Sequence, residues 1–171
     1  MITDLDKNKY PVFGERGLPT NYPVPEVSDK LLFYIQRNHN FNTIVYELNT
    51  NSYGQINQDY PMDVCWIRYS EQGQVQGLNF IQNNLAFGYK SKIINADTYS
   101  FKMVSDDKFQ FFLSKINGKH SVVTKINDHD AILSNIYVFA DEVGLFPDVR
   151  YIEFYGNYLS NNFPAYQKVI L

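Results

Sequence analysis

Apolar and polar positions alternate with period two through most of the chain, first in Leu31-Leu-Phe-Tyr-Ile-Gln-Arg and Thr43-Ile-Val-Tyr-Glu-Leu. β-Branched and aromatic side chains fit a pleated, half-buried surface. The intervening Asn38-His-Asn-Phe-Asn supplies residues that tolerate a left-handed backbone, so Leu31 to Leu48 predicts a β-hairpin. Pairing Asn38 with Thr43 across a four-residue loop puts Leu31, Phe33, Ile35, Ile44, Tyr46 and Leu48 on one face. Tyr34, Gln36, Glu47 and Asn49 then share a wet face. A five-residue loop would strand the Glu47 carboxylate among Phe33, Ile35 and Val45, which favours the shorter one. Arg37 ends the apolar face, with its stem on the core and its head reaching water.

The same patterning continues downstream. Val64-Cys-Trp-Ile-Arg-Tyr69 is apolar on both faces, as a strand in the middle of a sheet would be. Leu78, Ile81 and Leu85 recur at helical spacing, with Asn79 and Gln82 placed for a capping box and Gly88 for a left-handed stop. This predicts one short helix, about Asn79–Phe87, plugging one end of a sheet. Strands are then predicted over Tyr89–Ile94, Thr98–Val104, Lys108–Ile116, His120–Ile126, Ala131–Ala140 and Val149–Tyr155, with Asn117-Gly118 a type I′ turn. The tail from Ser160 ends in the apolar Val169-Ile170-Leu171. Before the hairpin, Pro11, Pro19, Pro23 and Pro25 exclude a continuous helix, so residues 1–30 read as an extended N-terminal arm. Tyr10, Val12, Phe13, Leu18, Tyr22 and Val24 give that arm apolar surface to lie along the domain. The expected fold is mainly β, about nine antiparallel strands in a meander-like barrel or sandwich, with residues 31–171 as a single β domain.

Composition agrees with strands. The 171 residues are enough for one core, and an aromatic content of 16%, with 14 Tyr and 13 Phe, is high. A formal charge of -3 with no Lys/Arg run leaves nothing to release phosphate counterions, so nucleic acid is not an expected partner. No apolar run approaches the roughly 18 residues of a membrane-spanning helix, so membrane insertion is not expected. Met1 to Asn8 lacks the apolar stretch of a signal peptide, which leaves the cytoplasm, or export if a targeting segment has been removed. Cys65 is the single cysteine and cannot form an internal disulfide.

Candidate chemistry is sparse. Asp4, Asp6, Asn8 and Glu15 match four ligand positions of a calcium loop, but Lys9 stands where glycine must turn and Pro11 interrupts it, so a solvated arm is the better reading. His39, His120 and His129 share no metal-ligand spacing, and no metal or cofactor is expected. Asp128-His129-Asp130 reads as turn chemistry, and Cys65 as a buried strand cysteine. What remains is an aromatic and amide set: Tyr34, Gln36, Glu47, Trp66, Arg68 and Tyr69, with Asn40, Phe41 and Asn42 beside them. Aromatic faces with amide and guanidinium donors can stack on and hydrogen-bond a small polar ligand. The same residues also serve as core and cross-strand pairs.

Phe33-Tyr-Ile-Gln-Arg-Asn38, Asn42-Thr-Ile-Val-Tyr-Glu47, Trp66-Ile-Arg-Tyr69, Leu78-Asn-Phe-Ile-Gln82 and Ala86-Phe-Gly-Tyr89 resemble segments of a bacterial domain family of unknown function. The likeness runs from about Tyr22 onward and implies one recurrent domain, with no catalytic residue to transfer. The residues favour a non-enzymatic β-barrel or sandwich that binds a small or extended polar ligand. The alternative is a module that pairs with another protein chain through the arm or an edge strand. A third reading is an enzyme without a recognisable motif, to be sought at Asp128 to Asp130 or at Glu47 with Arg68.

Overall fold

A computed structural model describes residues 22–141 and 148–171, with the side chains of Ile81 and Leu85 outside that set. The calcium-loop residues Asp4 to Glu15 and most of the arm lie outside the described residues. The described residues are mainly strand, with one short helix among them. Eleven strands run β1(Leu31–Arg37), β2(Thr43–Leu48), β3(Met62–Ile67), β4(Val75–Gly77), β5(Tyr89–Asn95), β6(Thr98–Met103), β7(Phe111–Ile116), β8(Lys119–Ile126), β9(His129–Asp141), β10(Asp148–Tyr158) and β11(Pro164–Ile170). The helix α1(Phe80–Leu85) falls between β4 and β5.

The strands make one sheet in the order β4-β3-β2-β1-β9-β8-β7-β6-β5, with β10 and β11 added beyond β9, and it curls into a half-barrel. Two strands beyond the expected nine come from β4, only three residues long, and from the tail as β11. Neither has enough alternating apolar positions to stand out locally. The sheet is mixed, since β1 pairs β9 in parallel, Tyr34↔Asn135 to Arg37↔Val138. This corrects the purely antiparallel expectation. The strand pattern does not encode partner direction, because a parallel pair between distant strands leaves the same alternation as a hairpin.

The opening hairpin forms in a different register. Phe33 pairs Tyr46 and Ile35 pairs Ile44, two residues away from the predicted alignment. Side-chain period is two, so an even shift keeps Phe33, Ile35, Ile44, Tyr46 and Leu48 on one buried face. A bulge between Leu31 and Phe33 removes Leu31 from that face and puts Leu32 in the core. The opposite face is not wet, as predicted, at its Gln36 end: Gln36, Thr43 and Val45 are buried, and Gln36 Nε2 donates to the Pro23 carbonyl at 2.9 Å. Of the arm's apolar residues that are described, Tyr22 packs edge-on against Phe41 and Tyr137, whereas Val24 is 67% exposed.

The core lies inside the curl. Phe33 stacks on Tyr46 at 4.2 Å and lies parallel to Phe101 and Phe111, which joins the β1–β4 meander to the β5–β8 meander. The hydroxyl of Tyr89 donates to the Met62 carbonyl and accepts from the Met62 N–H, tying β5 to β3 across the curl. At α1 the predicted capping box is present: Asn79 Oδ1 accepts from the Gln82 N–H at 2.8 Å, and Gln82 Oε1 from the Asn79 N–H at 3.0 Å. Gly88 does not stop the helix in a left-handed conformation, as positive φ at glycine is confined to Gly54, Gly73 and Gly118 among the described residues. It is needed for close approach instead, because a Cβ there would lie 1.7 Å from the Asn83 carbonyl oxygen. The Asn117-Gly118 turn has both central φ angles positive, as a type I′ turn requires.

Gly156 sits at a register shift between β10 and β9, where a Cβ would meet the Ile132 carbonyl oxygen at 2.0 Å. Gly156→Ala is therefore expected to destabilise the fold by about 2 kcal/mol or more, because backbone must move. Gly77→Ala, with open space around the new methyl, should stay within about 0.5 kcal/mol. Urea unfolding of the two variants beside the parent checks the contrast.

Candidate functional site

Alternation decides which side chains can meet. Phe33, Ile35 and Arg37 follow one another on the inner face of β1, and Val64, Trp66 and Arg68 do so at the end of β3. Both rows end in an arginine at the same end of the half-barrel. The Arg68 guanidinium carbon lies 4.4 Å from the Trp66 ring centroid, and that of Arg37 lies 4.9 Å from it and 5.8 Å from the Phe87 ring. Trp66 itself is 2% exposed and packs edge-on against Phe87, with its indole N–H donating to Gln82 Oε1 at 3.2 Å. Gln82 thus caps the helix and orients the indole with one oxygen.

Beneath this arrangement lies a pocket of about 640 Å³. Its walls are Ile35, Phe109, Phe111, Ile136, Val138 and Phe154, with Val149, Ile152 and Leu171 completing an apolar lining. Arg37, His39, Arg68, Gln82, Ser105 and Asp106 bring the polar groups. Arg37 Nε is sealed from solvent and has no hydrogen-bond partner among the described residues. Burial, and then the neighbouring Arg68 charge, push the Arg37 pKa down. Arg68 Nε donates to Gln76 Oε1 at 2.9 Å, which steers its head from β4.

The loop after β1 is anchored hard. Asn38 Nδ2 donates to the Ala140 carbonyl and Asn38 Oδ1 accepts from the Ala140 N–H, both at 3.0 Å, so the amide extends the parallel ladder by one rung. Asn42 Oδ1 accepts from the Ser70 N–H at 3.0 Å, and Ser70 Oγ accepts from the Phe41 N–H at 2.7 Å. Of the asparagines expected to serve the turn, Asn40 does so, its Oδ1 accepting from the Asn42 N–H at 2.9 Å, whereas Asn38 and Asn42 bond distant backbone and hold the loop beside Arg37 in place.

Of the six residues singled out from sequence, five are divided between the two faces, and Tyr69 lies just beyond β3, near Tyr34. Trp66 and Arg68 come together at the pocket. Tyr34, Gln36 and Glu47 lie on the outer face, with the Tyr34 hydroxyl pushed up by burial and then by nearby Tyr69. Gln36 is buried there under Pro23, and its side chain also reaches Thr43 Oγ1. Arg37, the residue missing from that set, had been placed on the apolar face by its parity. Its head lies over Trp66, with Nε sealed from solvent and the residue as a whole half-buried, because the core aromatic offers it a face.

A second polar group was not legible in sequence. Glu153 on β10 is 1% exposed, and its Oε2 accepts from the Tyr155 hydroxyl at 2.8 Å and from that of Tyr166. The outer face around it carries Tyr137 and Tyr151, and the Lys168 ammonium lies 4.0 Å from the Tyr151 ring centroid. Asp128 and Asn127 form a tight turn with positive φ, and Asp130 pairs with Lys125 at 2.9 Å on the surface, so that loop is turn chemistry. Among the described residues no group of three His, Cys, Asp or Glu side chains is placed to hold a metal ion. Nor is any helix among them long and apolar enough to cross a membrane.

The fold and the pocket together define a class: a curled, mixed β half-barrel with an apolar-lined pocket that an arginine–tryptophan group borders. The chain belongs to the family described as Domain of unknown function (DUF4833), whose profile matches residues 33–168. Searches of curated proteins and of solved structures find no match.

Cys65 projects from the outer face of β3, half-buried, and its thiol pKa is pushed up by burial and then by Glu47 and Asp63. The thiolate is the nucleophile, so iodoacetamide should alkylate Cys65 more slowly in the native protein at pH 8 than in the urea-unfolded chain. An equal or faster native rate, followed by mass spectrometry, would count against a structural thiol.

Proposed function

We propose that this domain is a binding protein that takes a small, chiefly apolar molecule into the half-barrel. The observation that carries the reading is the pocket itself. Protein interiors fill their space to crystal-like density, and an apolar-lined concavity that opens to solvent leaves apolar area exposed that a ligand's apolar body would cover. A volume of about 640 Å³ lies in the range of pockets that enclose small ligands. Its walls come from β1, β7, β9 and β10, of which β1 and β10 are each hydrogen-bonded to β9. The apolar lining shifts the expected occupant away from a sugar-like polar ligand and toward one with an apolar body.

The neutral fluorophore N-phenyl-1-naphthylamine tests this without invoking charge. Saturable binding at one site per chain, with a gain in emission, is the expected result. Val138 lines the pocket and is only partly buried, so Val138→Phe should fill the space and weaken binding by about tenfold or more. An absence of saturable binding, or equal binding by the variant with its thermal unfolding unchanged, would overturn the reading.

A further inference from the structure

We infer that the molecule taken into this pocket is an amphipathic anion, whose oxyanion head, a carboxylate or phosphate monoester, is held by Arg37 and Arg68 beside Trp66 while its apolar part lies along Ile136, Val138 and Phe154. The inference rests on the pocket reading above and adds the head-group chemistry to it.

Two cations with no anion between them is an arrangement that needs a reason. Both guanidinium carbons approach one indole ring, at 4.4 and 4.9 Å, so two like charges converge on one end of the pocket. Among the described residues the ion pairs are Lys125 with Asp130, and Arg150 with Asp141 and Asp148, and none involves Arg37 or Arg68. Cation–π contact with Trp66 offsets part of the desolvation, but it supplies no acceptor for the N–H groups. Arg37 Nε is left buried without a partner, and a buried donor left unmade costs more than a hydrogen bond gains. The structure holds this geometry firmly, through the Asn38 rung to Ala140 on one side and Gln76 on the other.

Asp106 also lines the pocket, from the loop between β6 and β7. Its Oδ1 accepts from the Lys108 N–H at 3.0 Å within its own turn, and it makes no ion pair with either arginine. Among the described residues no acceptor satisfies the fork, and an anionic ligand would supply one. Guanidinium groups match the paired oxygens of carboxylate and phosphate, and an apolar wall running away from them suits an alkyl or aryl body.

Trp66 is the only tryptophan in the chain, so intrinsic fluorescence reads the site directly. The probes are dodecanoate, dodecyl phosphate, dodecanol and dodecyltrimethylammonium, titrated against Trp66 emission and against displacement of N-phenyl-1-naphthylamine. At least one of the two anions should bind about tenfold or more tightly than dodecanol, and the cation no better than dodecanol. Which anion prevails identifies the head group. Arg37→Met and Arg68→Met should each remove that preference, so that within each variant the anions bind no more tightly than dodecanol. Arg68 is only half-buried, so its variant keeps the test open if the Arg37 variant fails to fold. Equal binding of dodecanol and both anions, or an Arg68→Met variant that retains the preference, overturns the head-group inference while naphthylamine binding still upholds the pocket. Failure of all four probes and of the naphthylamine overturns both.

Discussion

Asn38 and Ala140 lie 102 positions apart and exchange two hydrogen bonds, continuing a parallel ladder that begins at Tyr34 and Asn135. That seam turns two antiparallel meanders into one sheet. Without it, β1 would have an unpaired edge and β1 to β4 would be cut off from the strands that follow, which β8 and β9 still join by their own hairpin. With it, the two inner faces turn toward each other and Phe33 comes to lie parallel to Phe101 and Phe111. The pocket follows from the same seam, because β9 carries Ile136, Val138 and Ala140 alongside Ile35 and Arg37. Backbone pairing this far apart in sequence has a large loop-closure cost, which only the completed core repays.

The aromatic richness of the chain serves two different layers. Inside, rings stack on one another and their hydroxyls are spent on backbone: Tyr46 on the Phe87 carbonyl, Tyr89 on Met62. Outside, Tyr137, Tyr151, Tyr155 and Tyr166 surround Glu153, and Tyr22 donates to the Arg37 carbonyl from the preceding segment. Burial pushes the hydroxyls of both sets up, so they act as fixed donors and not as titrating groups near neutral pH. Tyrosine suits this use because one side chain supplies both apolar area and a directional bond.

Much of the candidate site was within reach of the pattern. Alternation alone put Phe33, Ile35 and Arg37 on one face and Trp66 with Arg68 on one side of β3, and the capping box at Asn79 and Gln82 formed as its spacing implied. Grouping Tyr34, Gln36 and Glu47 with Trp66 was a matter of nearness in sequence, and the pleat separates them. The inward turn of the Arg37 head depends on Phe87 and Trp66 arriving from other elements, which no local window contains. Glu153 was invisible for the same reason, since its tyrosines come from two strands paired after a turn that begins beyond Tyr158.

The sequence by itself determined the strand chemistry, the one helix among the described residues and its cap, the type I′ turn at Asn117-Gly118, and, outside the bulge at Leu31, which residues of the first hairpin share a face. All of these follow from interactions within a few residues: φ preferences, capping hydrogen bonds and the period-two pleat. Tertiary structure alone decided the two-residue register of the first hairpin, the parallel direction of β1 against β9, the short strands β4 and β11, and the meeting of Arg37 with Arg68. An even register shift preserves every face, and pairing direction leaves the alternation unchanged. Only the packing of distant strands distinguishes those alternatives, and the same packing brings the arginines to one tryptophan.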